Sequence, residues 1–131
     1  MFDLSTKILI VDDMSSMRKM ITNMCKDIGF TDIIGAEDGG KAWEILNSST
    51  SPIGLVISDW NMPICTGIEL LKKIRSDSRF AKTPFMMLTA EAEGKQVSEA
   101  VAAGVDAYVV KPFAQSALTE KIEAVYKKYA G

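Results

Sequence analysis

Histidine is missing from all 131 residues of the chain, and the gap removes whole classes of chemistry. Without imidazole there is no zinc site of the Cys/His type, no Ser-His-Asp or Cys-His nucleophile, and no phosphohistidine carried by this chain. Cysteine is scarce as well: Cys25 and Cys65 stand far apart, with no secretion signal before them. Such thiols are expected to be free rather than bridged. A net charge of −2 leaves no basic surplus for a nucleic-acid partner. Apolar runs stop at about five residues where a membrane helix needs about 20, and no signal-peptide pattern opens the chain. No membrane contact is expected, and the expected address is the cytoplasm. Any chemistry must therefore be run by carboxylates, lysine, hydroxyls, backbone amides or a hard metal ion.

What is present is ordinary in bulk and regular in pattern. With 47% hydrophobic and 24% charged residues, the chain can bury a core of its own. "KILIV" (7–11) is a short β-branched strand stopped by two acids. Met17, Met20, Ile21, Met24, Cys25 and Ile28 then fall at helical spacing, with Ser15 as the expected N-cap and Gly29 as the stop. "TDIIGA" (31–36) is a second strand, and Asp38 is placed to cap a helix from about 40 to 47. A third strand at 54–58, a fourth at 84–88 and a fifth at 106–110 follow. Between them Ile68, Leu71 and Ile74 mark one helix, and Val97, Ala100 and Val101 another. Leu118, Ile122, Val125 and Tyr129 are the expected buried stripe of the last. Strand and helix alternate throughout, so residues 1–131 are expected to form one α/β domain, a doubly wound (βα)5 unit with a five-stranded parallel sheet and helices on both faces.

In such a sheet ligands bind beyond the carboxyl ends of the strands. Asp12 and Asp13 follow the first strand, Asp59 the third, Thr89 the fourth and Lys111 the fifth. Three carboxylates converging in one cleft repel each other, and a divalent cation would resolve that; all-oxygen ligands suit Mg²⁺. With Lys111 and Thr89 added, the set fits a tetrahedral oxyanion, and Asp59, alone on its strand, is the best candidate nucleophile for an acyl phosphate. Any one of these acids could equally be a helix cap; the whole set at four strand ends is hard to explain that way.

"ILIVDD", "SDWNMP", "MLTAEA" and "AYVVKPF" occur in order and at matching spacing. On these blocks, over almost its whole length, the chain resembles the receiver domains of two-component response regulators, in particular the stand-alone chemotaxis kind. The resemblance implies a flavodoxin-like strand order 2-1-3-4-5 and phosphorylation of Asp59 by a CheA-like histidine kinase. It implies Mg²⁺ held by Asp13, Asp59 and the backbone carbonyl of Asn61, with Asp12 acting largely through water. Thr89 and Lys111 would grip the phosphoryl oxygens, the Lys111–Pro112 bond would be cis, and Tyr108 would follow Thr89 inward on activation. Asn61 and Glu91 would tune hydrolysis of the acyl phosphate, which the chain would catalyse on itself. The output face would comprise Ala92, Tyr108, Val110 and Lys121. A FliM-like flagellar motor switch protein is the implied target of a monomeric protein, with room for a phosphatase partner.

The chain departs from that pattern at Ile64-Cys65-Thr66-Gly67, where most receivers carry Asp before the Gly. Thr66 can still cap the third helix. Glu93 and Gly94 replace basic residues common on the output face, which bears on the partner rather than on phosphorylation. "GAEDGGKA" (35–42) nearly matches a phosphate-binding loop, but Ala42 stands where Ser or Thr is needed and Glu37 and Asp38 are acidic. Met17, Met20 and Met24 are expected in the core, Trp60 at the surface near the site, and Lys72, Lys73, Lys127 and Lys128 on solvated faces. Competing readings are a phosphate sink or relay intermediate without motor binding, a scaffold, and a small-molecule phosphatase with an aspartyl nucleophile. The last usually needs a second acid where Asn61 stands.

Overall fold

Alternate residues of each central strand enter two different cores. The structure, a computed structural model, describes residues 2–90 and 94–130. Its elements are β1 (Lys7–Val11), α1 (Ser15–Ile28), β2 (Asp32–Ala36), α2 (Gly39–Ser48), β3 (Leu55–Asp59), α3 (Gly67–Ser76), β4 (Phe85–Thr89), α4 (Gly94–Ala103), β5 (Ala107–Val110) and α5 (Gln115–Ala130). All strand pairs are parallel, in the order β2-β1-β3-β4-β5. Leu9, Val11, Val56, Phe85 and Met87 pack against α2, α3 and α4 through Leu46, Leu71, Ile74 and Ala100. Ile8, Ile10, Leu55, Ile57, Met86 and Leu88 face α1 and α5 through Ile21, Cys25, Leu118, Ile122 and Val125. A sheet buried on both faces requires such continuous apolar strands. The strand order reverses between β1 and β3, which opens a crevice at their carboxyl ends.

Local chemistry sets most helix ends. Gly29 closes α1 at a φ of 125°, where its N–H reaches the carbonyls of Cys25 and Lys26. Asp38 caps α2 by accepting from the Lys41 N–H at 2.7 Å, so the near-match to a phosphate loop is a capped helix. Thr66 and Glu69 form a reciprocal capping box on α3. Ser15 is not a cap. The Asp12 carboxylate takes the Met14 N–H at 2.9 Å, tightening the turn so that Met14 holds the cap position and Ser15 is already helical.

Cys25 and Cys65 are both buried and free, and burial pushes the Cys25 thiol up to about 12. Met17 and Met24 pack against the core, whereas Met20 is exposed. Tyr129 is exposed as well, its hydroxyl bonded to Asp106. Lys128 is no idle surface charge: its Nζ lies 2.9 Å from Asp106 Oδ1. Lys73 lies over the Trp43 ring, and Lys72 pairs loosely with Glu99. No helix among the described residues is long and apolar enough to cross a membrane.

Candidate phosphoryl and metal site

β1 and β3 run side by side, with Val11 opposite Ser58, so the residues that end them are brought to one edge. There Asp12, Asp13 and Asp59 each offer a carboxylate oxygen, all within 4.8 Å of one another. Asp59 is the last residue of β3 and Thr89 the last of β4, each one place earlier in its strand than the sequence pattern implies. Asp12 is fully buried, Asp59 is nearly so and Asp13 is exposed.

Lys111 answers the charge of the two buried acids. Its Nζ lies 3.1 Å from Asp12 Oδ2 and 3.3 Å from Asp59 Oδ1. The Asp59 Oδ1 also accepts the Trp60 N–H at 2.8 Å. Burial pushes the Asp59 carboxyl above the usual carboxylate range and the Asp12 charge adds to this, while Lys111 and the Trp60 N–H pull it back. The Lys111–Pro112 peptide is cis, and the Lys111 N–H donates to the Thr89 carbonyl at 2.7 Å. Thr89 is fully buried.

The donor set fits a hard divalent cation. When ionised, three carboxylates against one ammonium leave a surplus of two negative charges. The Asn61 backbone carbonyl, just past β3, makes no hydrogen bond among the described residues and is available as a further oxygen ligand.

Trp60 corrects an expectation: it is 7% exposed and belongs to the core beneath α2, α3 and α4. Its N–H bonds the Leu88 carbonyl, so the backbone continues the strand pattern for one more residue. The indole therefore falls on the same face as Val56. The unusual Ile64-Cys65-Thr66 stretch is also accounted for. Cys65 is buried against Gly39, whose N–H donates to the Cys65 carbonyl, and Thr66 makes the cap. Ile64 is 85% exposed with a φ of 69°, a left-handed conformation that costs a β-branched residue about 1–2 kcal/mol.

Of the remaining predicted residues, Asn61 is exposed beside the cluster and Tyr108 is half-buried on β5. Val110 and Lys121 are exposed, on β5 and α5. Glu91, Ala92 and Glu93 lie outside the described residues. Sequence reasoning missed Arg18, whose guanidinium reaches the Asp12 carbonyl, and also Arg75 and Asp106 at the far end of the sheet. A lone arginine on the first turns after "DD" was the available signal for the first.

The Response regulator receiver domain family matches residues 8–123. The chain is 47% identical over 125 residues to the chemotaxis protein CheY of Pseudomonas aeruginosa, covering 95% of this chain and 99% of that one. It is 45% identical to the chemotaxis protein CheY1 of Helicobacter pylori over 91% and 95% of the two chains. The solved structure of Vibrio cholerae CheY4 superposes with a TM-score of 0.84 at 34% identity, over 92% of this chain and 98% of that one. The family model spans most of the chain and the relatives match over nearly their whole length, so the chain belongs to the response regulator receiver domain family.

Proposed function

We propose that residues 1–131 act as one receiver unit, a stand-alone cytoplasmic response regulator that is switched by phosphorylation of Asp59. The observation that carries this reading is the seating of Lys111 Nζ between the Asp12 and Asp59 carboxylates, inside the three-acid cluster. An ammonium held there serves two purposes. It opposes the rise that burial forces on the Asp59 carboxyl, and it stands beside the carboxylate that a phosphoryl group would join.

Asp59 Oδ1 is held by Lys111 and the Trp60 N–H, while Oδ2 has no hydrogen-bond partner among the described residues. Oδ2 is the attacking oxygen. It forms a bond to phosphorus as the P–N bond of a kinase phosphohistidine breaks, and the imidazole leaves with the bonding electron pair and takes up a proton. Asp12, Asp13, Asp59 and the Asn61 carbonyl would hold Mg²⁺, which when bound supplies neutralisation of phosphoryl oxygen charge. Lys111 and the Thr89 hydroxyl bind the remaining oxygens. Asn61 and Glu91 modulate later attack by water, so the chain removes its own phosphoryl group and needs no separate substrate.

The output follows from how the site is tied to β5. The Lys111 N–H bond to the Thr89 carbonyl links the ends of β4 and β5, and Tyr108 and Val110 stand just before Lys111. A pull on Lys111 and Thr89 shifts that strand end, with Ala92, Tyr108, Val110 and Lys121 forming the responsive face. The names of the relatives, chemotaxis proteins, support a CheA-like kinase as donor and a FliM-like motor switch protein as target.

Incubation with Mg²⁺ and a small acyl-phosphate donor should add one phosphoryl mass, lost in Asp59→Asn. A mass gain that persists in Asp59→Asn overturns the acceptor assignment. Binding of a motor-switch peptide, tightened by beryllofluoride, tests the output; no change points instead to a phosphate sink or relay.

A further inference from the structure

Every polar atom of Asp12 is engaged. Its N–H donates to the Ala36 carbonyl at 3.1 Å, Oδ1 accepts the Met14 N–H at 2.9 Å, and Oδ2 faces Lys111 Nζ at 3.1 Å. The fourth contact is the notable one: Arg18 Nη1 donates to the Asp12 backbone carbonyl at 2.6 Å. A guanidinium bond to a peptide carbonyl is charge-assisted and stronger than a neutral one. That carbonyl belongs to the peptide joining Asp12 to Asp13. Asp13, by contrast, is exposed, and its carboxylate has no hydrogen-bond partner among the described residues. Where Asp13 points is therefore decided by its backbone, and its backbone is pinned by Arg18.

The path of the arginine is also built. Its stem runs over β2 at Gly35, where an added Cβ would meet Arg18 Cδ at 3.6 Å and Nε at 3.9 Å. A methyl group fits there in ordinary contact, and a branched side chain is expected to press on the arginine stem. Gly35 thus leaves the lane by which the α1 side chain reaches the β1–α1 turn. On the reading of the cluster as a cation site, which this step rests on, we infer that Arg18 is a positioning residue. It fixes the Asp12–Asp13 peptide so that the Asp13 carboxylate stays aimed into the acidic cluster.

The sign of one measurement separates positioning from simple electrostatics. A guanidinium near three acids repels a metal ion, so if charge alone mattered, Arg18→Gln would tighten Mg²⁺ binding. If Arg18 positions Asp13, its loss weakens Mg²⁺ binding in spite of the removed repulsion. Support from beyond the ligands is commonly worth on the order of tenfold in metal affinity, and a loss near tenfold is expected here. Gly35→Val keeps the charge but closes the lane, and should weaken binding in the same direction. Arg18→Lys can donate one bond from a shorter fork-less head and should restore part of the loss.

The experiment has two readouts on the full chain and the three variants: Mg²⁺ titration by calorimetry, and the Asp13 amide resonance in metal-free protein. Arg18→Gln and Gly35→Val are expected to move the Asp13 resonance and weaken Mg²⁺ binding, with Arg18→Lys in between. An unmoved Asp13 resonance, or Mg²⁺ affinity unchanged or tightened in Arg18→Gln, overturns the inference. If Arg18→Gln fails to fold, Gly35→Val decides the matter, since it retains the arginine and alters an exposed position of the edge strand β2. If the parent chain binds no Mg²⁺, the cation-site reading fails. The pinning of the peptide then stands or falls on the Asp13 resonance alone.

Discussion

Asp106 Oδ2 lies 2.9 Å from Arg75 Nη2, at the end of the sheet opposite the acidic cluster. The same carboxylate accepts the Phe85 N–H at 2.9 Å and the Tyr129 hydroxyl at 2.8 Å, and pairs with Lys128. Arg75 in turn donates to the carbonyls of Gly104, Ala81 and Thr83. One ion pair thus ties the end of α3, the start of β4, the start of β5 and the end of α5. The Asp106 side chain is only 3% exposed, so removing it leaves the Arg75 charge without its counter-ion and the Phe85 N–H without its side-chain acceptor. Asp106→Ala is expected to cost about 3–5 kcal/mol, read from urea unfolding. A loss below about 1 kcal/mol would show the pair to be incidental.

Tyr129 offers a pH test of the same network. Burial first, then the hydrogen bond to Asp106 and the charge of Asp106, raise its hydroxyl to about 12 from an ordinary 10.0, with Arg75 opposing. The folded state therefore holds this proton more tightly than the unfolded chain does. The contribution to stability is complete below pH 10 and is lost as the pH rises through 12. Near-ultraviolet phenolate absorbance should show a late step that disappears in Tyr129→Phe. A titration in which Tyr129→Phe removes a step near 10 would contradict the geometry.

Gly67 is required by close approach rather than by its φ. A Cβ there would collide with the Asp59 carbonyl and press on Met87 Sδ, and the Gly67 N–H already bonds the Trp60 carbonyl. Gly67→Ala must push the first turn of α3 away from the end of β3. The expected effect is about 1–3 kcal/mol of destabilisation together with slower phosphorylation of Asp59. Stability and phosphorylation rate both equal to the parent's would mean that α3 shifts freely and that this contact does not shape the acceptor.

Much of this was legible because the signals are local or periodic. Ile8 to Val11 and Leu55 to Ile57 are apolar on both faces, which only a doubly covered sheet requires. Acids placed straight after such strands stand out against that background. What failed depended on neighbours that the local pattern does not contain. Trp60 was expected at the surface because the apolar run had ended, yet the backbone keeps pairing with β4 for one more residue and the alternation carries the indole inward. Tyr129 fits the helical stripe, but it is exposed, and its hydroxyl is bonded to Asp106, 23 positions away in sequence. Asp106, Arg75 and Arg18 carry no motif of their own. Each acquires meaning only from a carbonyl or charge that the fold brings to it.

Lys111 sets the last prediction, because it both steadies and competes. Its ammonium sits within 3.3 Å of two of the three carboxylates, and its side chain is only 14% exposed. A cation entering the cluster must approach this like charge, so Lys111→Met should tighten Mg²⁺ binding, by roughly threefold to tenfold for a charge removed at this range. The same substitution takes away a donor to the phosphoryl oxygens and the charge that opposes the burial-driven rise of the Asp59 carboxyl. Phosphorylation by a small acyl-phosphate donor should therefore slow even at saturating Mg²⁺. Tighter metal and slower transfer in one variant is a combination that misfolding cannot produce. Weaker Mg²⁺ binding in Lys111→Met would instead mean that the lysine's main service is to hold Asp12 and Asp59 in place.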